Sequence, residues 1–212
     1  NAAFSSNQSV QMFQNRIKQL LGMGAVFTQL SRMIRSAVTQ IRELDDAMTQ
    51  IAVVTNMTTD DLWEQINTYM ALAKQYGVTT TGAYQVSQLY YQQGLSTVDV
   101  MKLTTETLKM ANIASLDYAS ATDYMTVALR GFKLETSDAT NIVDVYSKLA
   151  AIAATDTAEL AEAMSKTASI AESAGMSFQN TSAMLTMMIE TTREAPENLG
   201  TALKTIIARF QE

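Results

Sequence analysis

The sequence contains neither cysteine nor histidine, and these two absences remove whole classes of chemistry. Disulfide bonds, thiol catalysis, structural zinc sites and acid-base catalysis by histidine are excluded from this chain. Only one proline and 8 glycines occur among its 212 residues. A strand-rich fold needs such residues at its turns, and no segment alternates with period two. The predicted fold class is therefore all-α.

Long hydrophobic runs are also missing. The longest, from Leu20 to Phe27, has eight residues and includes two glycines, whereas a membrane-spanning helix needs about 18. No signal-peptide pattern is present. The alanine-rich part from Leu149 to Ala174 favours tight helix packing, with membrane insertion as the weaker alternative. Because the chain starts without methionine and ends inside a predicted helix, we expect it to be a piece of a longer protein.

Charge is unevenly distributed along the chain, whose net charge is -6. Residues 1–42 hold five basic residues and no acid, whereas residues 43–212 hold 10 basic and 21 acidic residues. The excess of acidic residues in residues 43–212 argues against specific nucleic-acid binding. The basic residues of the first part are sparse, which is typical of a solvated helix face.

An unbroken heptad pattern runs from residue 20 to residue 51. Its apolar residues recur in steps of three and four, which predicts a helix lying along other helices. Positions flanking the pattern include Val26, Met33 and Val38, so the apolar face is wide and suits a multi-helix bundle better than a two-stranded coil. Two interpretations remain open, packing on the helix's own domain and self-association between copies. The candidate oligomer interface comprises Leu20, Met23, Phe27, Leu30, Ile34, Ala37, Ile41, Leu44, Met48 and Ile51.

The helical pattern predicts two domains, an extended N-terminal helix in residues 1–55 and a multi-helix core in residues 56–212. The N-terminal helix is expected to begin near Gln8. A capped helix should start at Thr58 or Thr59 and present a stripe from Leu62 to Tyr76. Further helices are predicted at 81–93, 97–114, 118–130, 138–153, 157–174, 178–193 and 199–211.

Three predicted helix corners share one sequence pattern, in which a glycine is followed by an apolar residue and then by a hydroxyl residue. They occur at Gly77, Gly94 and Gly175. Glycine can adopt the left-handed conformation that closes a helix, and the hydroxyl residue can cap the next one. Gly131 with Phe132 is predicted to form a looser version of the same corner.

No catalytic, cofactor-binding or metal-binding constellation is recognisable. The adjacent pairs Asp45-Asp46 and Asp60-Asp61 point to different helix faces, and nothing converges on Glu159 and Glu162. Phosphate-binding loops and calcium-binding loops are absent from the sequence. We therefore expect no enzymatic activity from this chain.

From Glu43 onward the sequence resembles the conserved N-terminal region of phage tail tape measure proteins. Six blocks appear in the family's order and spacing, and together they span about 170 residues. Leu44 replaces the family's usual phenylalanine, which is a mild departure. The blocks are residues 43–51 (ELDDAMTQI), 76–80 (YGVTT), 93–96 (QGLS), 128–132 (ALRGF), 172–177 (ESAGMS) and 200–206 (GTALKTI).

The resemblance implies a helical, non-enzymatic structural protein that fills the tail tube, sets its length and leaves ahead of the DNA during ejection. Implied partners are other copies of the chain, the tail tube protein, tail assembly chaperones, hub or tip proteins and, during ejection, the host membrane. Implied locations are the lumen of the tail tube in the virion and the host cytoplasm during assembly. The main alternative is an all-helical interaction or membrane-active module of a secreted toxin or effector, and an enzyme using carboxylates alone is a distant third.

Overall fold

The computed structural model describes the backbone of residues 2–55 and 57–211, and the side chains of residues 28–55, 57–58 and 60–211. Its helices are α1 (Ala2–Thr55), α2 (Thr59–Glu64), α3 (Ile66–Tyr76), α4 (Thr80–Gln92), α5 (Thr97–Ala114), α6 (Tyr118–Gly131), α7 (Ala139–Ile152), α8 (Thr157–Ser173), α9 (Phe178–Thr192) and α10 (Pro196–Phe210). A 3-10 turn, Thr136–Asp138, precedes α7. Within the described ranges there is no strand, so the predicted all-α class is confirmed.

Three features of the helices differ from the sequence prediction. The first helix, α1, begins at Ala2 instead of near Gln8. The helix expected from Thr59 to Tyr76 is interrupted at Gln65, which divides it into α2 and α3. The last helix begins at Pro196 instead of residue 199. Proline is well suited to the first helical position, because its missing N–H would have no partner there and its φ is already helical.

The chain divides into two compact units, Asn1–Asp46 and Ala47–Glu212. The sequence analysis predicted a boundary after residue 55. In the structure, the last residues of α1, from Ala47 to Thr55, belong to the second unit. The physical reason is burial, since Met48 and Ile51 are fully buried and Ala47 is 5% exposed. In addition, Gln88 of α4 donates a side-chain hydrogen bond to Gln50.

Side-chain caps set the beginnings of most helices in the second unit. Thr58 and Asp156 each form a reciprocal capping box, with Asp61 and Glu159 respectively. Thr79, Ser96, Asp117 and Ser177 accept hydrogen bonds from the backbone N–H three residues on. Because these bonds satisfy N–H groups that a helix leaves unpaired, short polar residues determine where each helix starts.

The helices of the second unit form a repeating array. Each helix from α3 onward packs against the next helix in the chain and also against the one after that. Two rows result, one of α3, α5, α7 and α9 and the other of α4, α6, α8 and α10. Polar contacts also join successive members of a row, for example Lys109 to Asp144 at 3.1 Å and Lys166 to Glu197 at 3.0 Å. This is the packing scheme of helical-repeat proteins, in which each unit contacts mainly its neighbours.

A regular period along the chain accompanies the array. The N-cap residues of α4, α6, α8 and α10 are Thr79, Asp117, Asp156 and Ala195, which follow one another at intervals of 38, 39 and 39 residues. Each interval contains one helix of each row and two corners. A helix pair therefore constitutes the structural repeat.

Two glycines allow close approach within the row formed by α6, α8 and α10. A Cβ atom built on Gly200 of α10 would lie 2.1 Å from the carbonyl oxygen of Ala163 in α8. A Cβ atom on Gly131 of α6 would lie 2.6 Å from the Cβ atom of Ala168. The alanines of α8 thus allow two neighbouring helices to cross it at short distance, one at Ala163 and one at Ala168.

Large aromatic residues fill the array elsewhere. Tyr69 and Tyr84 stack with ring centroids 4.1 Å apart, and the Tyr84 hydroxyl donates to the Leu62 carbonyl at 2.8 Å. Further along, Phe178 makes edge contacts with Phe132 and with Tyr146. Burial raises the pKa of Tyr69 and Tyr146 well above the ordinary range, so these hydroxyls stay neutral.

Candidate interaction surface

The heptad face of α1 exposes apolar side chains to solvent over much of its described length. Leu30 is 51%, Ile34 is 56% and Ile41 is 62% exposed, and Ala37 is exposed between them. Met33 and Val38 flank this stripe and are 69% and 44% exposed. Scattered apolar residues are normal on protein surfaces, but a continuous row of this size is typical of an interaction site. We call residues 30, 33, 34, 37, 38 and 41 the α1 stripe.

The other predicted interface residues have different surroundings. Leu44 is half-buried, and Met48 and Ile51 are fully buried within the second unit. Those two side chains belong to the core and are not available to a second molecule. The side chains of Leu20, Met23 and Phe27 lie outside the described residues.

Polar and basic residues occupy the remaining faces of this part of α1. Arg32, Arg35 and Arg42 are all exposed, in line with the solvated face that the pattern predicts. Asp45 stands at a position flanking the heptad pattern and is also exposed. Its charge lies beside the apolar face, just before the point along α1 where the side chains of that face become buried.

The three predicted corner glycines all have left-handed backbone conformations. The φ angles of Gly77, Gly94 and Gly175 are 66°, 78° and 78°. After Gly77, the N–H of Val78 donates to the Ala73 carbonyl at 2.9 Å, the bond that closes a Schellman motif. These glycines therefore lie at the ends of helices, where the chain turns into the next helix of the array.

The looser corner predicted at Gly131 and Phe132 is wrong. Gly131 is the last residue of α6 and serves the tight contact with Ala168, while Phe132 is buried. The left-handed residue is Lys133, with φ 54°, and the N–H of Leu134 closes the corner. Sequence reasoning missed this position because lysine carries no signal for positive φ.

A fourth corner of the same form went unrecognised because its first residue is not glycine. Ser115 has φ 52°, and the N–H of Leu116 donates to the Ala111 carbonyl at 3.0 Å. Asp117 then caps α6. The available signal was the apolar residue followed by a capping residue, 38 positions after the corresponding pair at Val78 and Thr79.

Two concave surfaces of the array, as far as its residues are described, bring no acid groups together. An open groove of about 410 Å³ is lined in part by Gly77, Asn112, Asp117 and Tyr118. The only carboxylate among its lining residues, Asp117, is engaged in capping, because its two oxygens accept from the Ser120 N–H and hydroxyl. These hydrogen bonds lower the pKa of the Asp117 carboxyl and hold it ionised, which suits a cap better than a proton-transfer group.

Metal-binding clusters and membrane-spanning helices are likewise absent from the described residues. These residues contain no group of three or more side chains able to hold a metal ion. Likewise, the described helices include none long and apolar enough to cross a membrane. Other surface features of the described residues are exposed single residues such as Trp63, 44% exposed, and apolar stripes such as the one on α1.

Fold and surface together define an all-α protein made of a helical-repeat array and a helix that presents an apolar stripe. Residues 66–212 match the family model described as phage-related minor tail protein. The match covers more than half of the chain, so this protein belongs to the phage-related minor tail protein family and has a structural role in the phage tail. It is accordingly associated with the virion. No solved structure matches the chain.

Proposed function

We propose that this chain is the segment of a tape measure protein that lies in the lumen of the tail tube. In this role it takes part in tail length determination, tail assembly and genome ejection. The observation that carries the proposal is the solvent-exposed apolar stripe on α1 in a chain of a phage tail family. The six sequence blocks that resemble tape measure proteins support the assignment independently.

Self-association through the α1 stripe is the mechanism that we infer. Leu30, Ile34 and Ile41 repeat at intervals that keep one face of a helix on a neighbouring helix over several turns. Met33 and Val38 widen this face, which favours three or more helices over two. Copies lying side by side in a narrow tube would cover the stripe along its length.

We further infer that the segment acts without catalysis and works through contacts with other tail components. The tube protein, the assembly chaperones and the hub or tip proteins are the proposed partners, with the host membrane contacted only during ejection. The acidic composition of residues 43–212 supports a role without specific nucleic-acid binding.

The experiment is a pair of charge substitutions in the stripe. Ile34→Asp combined with Ile41→Asp would place two carboxylates per copy in the helix contact, at a cost of several kcal/mol if they are buried there. We expect wild-type protein to form oligomers in sedimentation equilibrium and the variant to be monomeric. Circular dichroism should show that the variant remains helical.

A matched control uses the polar face of the same helix. Gln29→Asp combined with Ser36→Asp adds the same charge at the same seven-residue spacing, and both positions are exposed. This control should oligomerise like the wild type. Equal association of both variants, or a strictly monomeric wild type at high concentration, would contradict self-association through the stripe.

Electron microscopy of intact particles tests the location. We expect density for this chain inside the tube, with α1 helices of different copies in contact. Density at the tail exterior would refute the tape measure assignment, and α1 packed only on its own chain would refute the contact between copies.

A further inference from the structure

The last helix of the array carries an apolar stripe that is open to solvent. Ala202, Ile206 and Phe210 follow one another at intervals of four residues along α10. Ile206 is 47% and Phe210 is 88% exposed, and Ala202 is exposed as well. An adjacent face of α10 is buried through Leu199, Gly200, Leu203 and Ile207. The helix thus has two apolar faces, of which one is covered.

The repeat shows what the same face does one unit earlier. Asp156 and Ala195 occupy the N-cap positions of α8 and α10, so a shift of 39 residues aligns the two helices in register. Under this shift the open stripe corresponds to Ala163, Thr167 and Ala171 of α8. Those three residues are 0%, 1% and 0% exposed. The stripe is buried in α8 and open in α10, although the α10 side chains are larger and more apolar.

The helix that lies on this part of α8 is α10 itself. Gly200 approaches the backbone of Ala163 so closely that a Cβ atom would collide with the carbonyl oxygen, and it would also lie 3.0 Å from the Lys166 Cβ atom. The position of Ala163 in α8 is that of Ala202 in α10. By the repeat of the array, the next helix of the row would therefore approach α10 at the Ala202 end of the open stripe.

From this register we propose that the Ala202–Ile206–Phe210 stripe is covered by a further helix of the same polypeptide, supplied after residue 212 as the next member of the row. The size of the stripe decides between this helix and a separate molecule. At roughly 200 Å² for a fully open side chain of this size, Ile206 and Phe210 with Ala202 offer on the order of 300 Å². A stable interface between separate proteins buries about 800 Å² per partner.

A helix in the same chain does not need such a large contact, because its tether raises its effective concentration to about the millimolar range. The chemistry of the covering helix follows from the preceding unit. It is amphipathic, and it places a glycine or alanine over Ala202, as α10 places Gly200 over Ala163.

Accessibility of residue 210 tests the proposal. Phe210→Cys introduces a thiol into a segment that has none, and its side chain is too exposed to be needed for folding. The rate of maleimide labelling, read from the peptide that contains residue 210, is compared between residues 1–212 and the complete encoded polypeptide. Val98→Cys is the matched control, because Val98 is 79% exposed and lies in the other row, on α5.

We expect labelling at position 210 to be at least about tenfold slower in the complete polypeptide at every protein concentration, while position 98 reacts equally in both. Equal rates at position 210 would overturn the proposal, as would a reading frame that stops before another helix can form. Protection that increases with protein concentration would assign the stripe to a second copy. Protection that appears only when other tail proteins are added would assign it to them, and either result would also overturn the proposal.

Discussion

Substituting Gly200 by alanine tests the tightest helix crossing of the array. The new Cβ atom would lie 2.1 Å from the Ala163 carbonyl oxygen and 2.9 Å from its carbonyl carbon. Both are backbone atoms in the middle of α8, so no side-chain rotation can relieve the collision. To restore an ordinary contact of about 3.5 Å, the two helices would have to move apart by at least about 1.4 Å.

The magnitude follows from two opposing effects. Replacing glycine by alanine inside a helix stabilises by about 0.8–1 kcal/mol through backbone propensity. Overpacking a tight contact costs about 1–3 kcal/mol, and the upper end applies because both partners are rigid helices. Separation would also loosen the burial of Leu199, Leu203 and Ile207, which attach α10 to the array. We therefore expect a net loss of about 2 kcal/mol, which corresponds to a melting temperature lower by about 4–8 °C for a protein of this size.

The assay is thermal and urea unfolding followed by circular dichroism. Thr201→Ala serves as the control, because it also introduces alanine, at the next residue of the same helix, where the side chain is exposed. The control should be neutral or slightly stabilising. If Gly200→Ala were as stable as the control, helix propensity would outweigh the crossing and the close approach of α8 and α10 would be incorrect.

Four further outcomes are expected. Gly175→Val should destabilise by about 1–2 kcal/mol from backbone strain alone, because φ is 78° and no atom lies within 4 Å of the new Cβ position; an unchanged melting temperature would contradict this. Tyr146→Phe should leave the free energy of unfolding unchanged or raise it, because the hydroxyl is buried without a partner, and a clear loss in urea titration would show that the hydroxyl is satisfied. Stability should decline as pH falls below about 4, because hydrogen bonds from the Thr58, Ser96 and Ser120 hydroxyls lower the pKa of Asp61, Asp99 and Asp117 in the folded protein. That contribution is present above the unfolded-state pKa and is lost through the lower folded-state pKa, so asparagine at all three positions should flatten this part of the pH profile. Finally, the purified chain should not hydrolyse peptidoglycan, and activity that disappeared on changing one of its own residues would overturn the inference of no catalysis.

Local chemistry in the sequence was sufficient for the fold class and for most helix boundaries. Caps such as Ser96 and Asp156 satisfy N–H groups of their own helix, and a glycine such as Gly175 adopts positive φ without strain, so these signals act within a few residues. The heptad spacing likewise identified which side chains share one face of α1. Corners without glycine were missed at Ser115 and Lys133, because serine and lysine carry no local signal for the left-handed φ that they adopt there.

Which apolar residues are buried was decided only by the tertiary structure. Ile41 and Met48 follow the same heptad pattern, yet Ile41 is 62% exposed and Met48 is fully buried, since only the end of α1 belongs to the second unit. Gly131 was predicted to form a corner and Gly200 had no predicted structural role, and the packing of both glycines became visible only with α8 beside them. Periodicity determines the face of a helix on which a residue lies, whereas burial depends on whether a distant part of the chain covers that face.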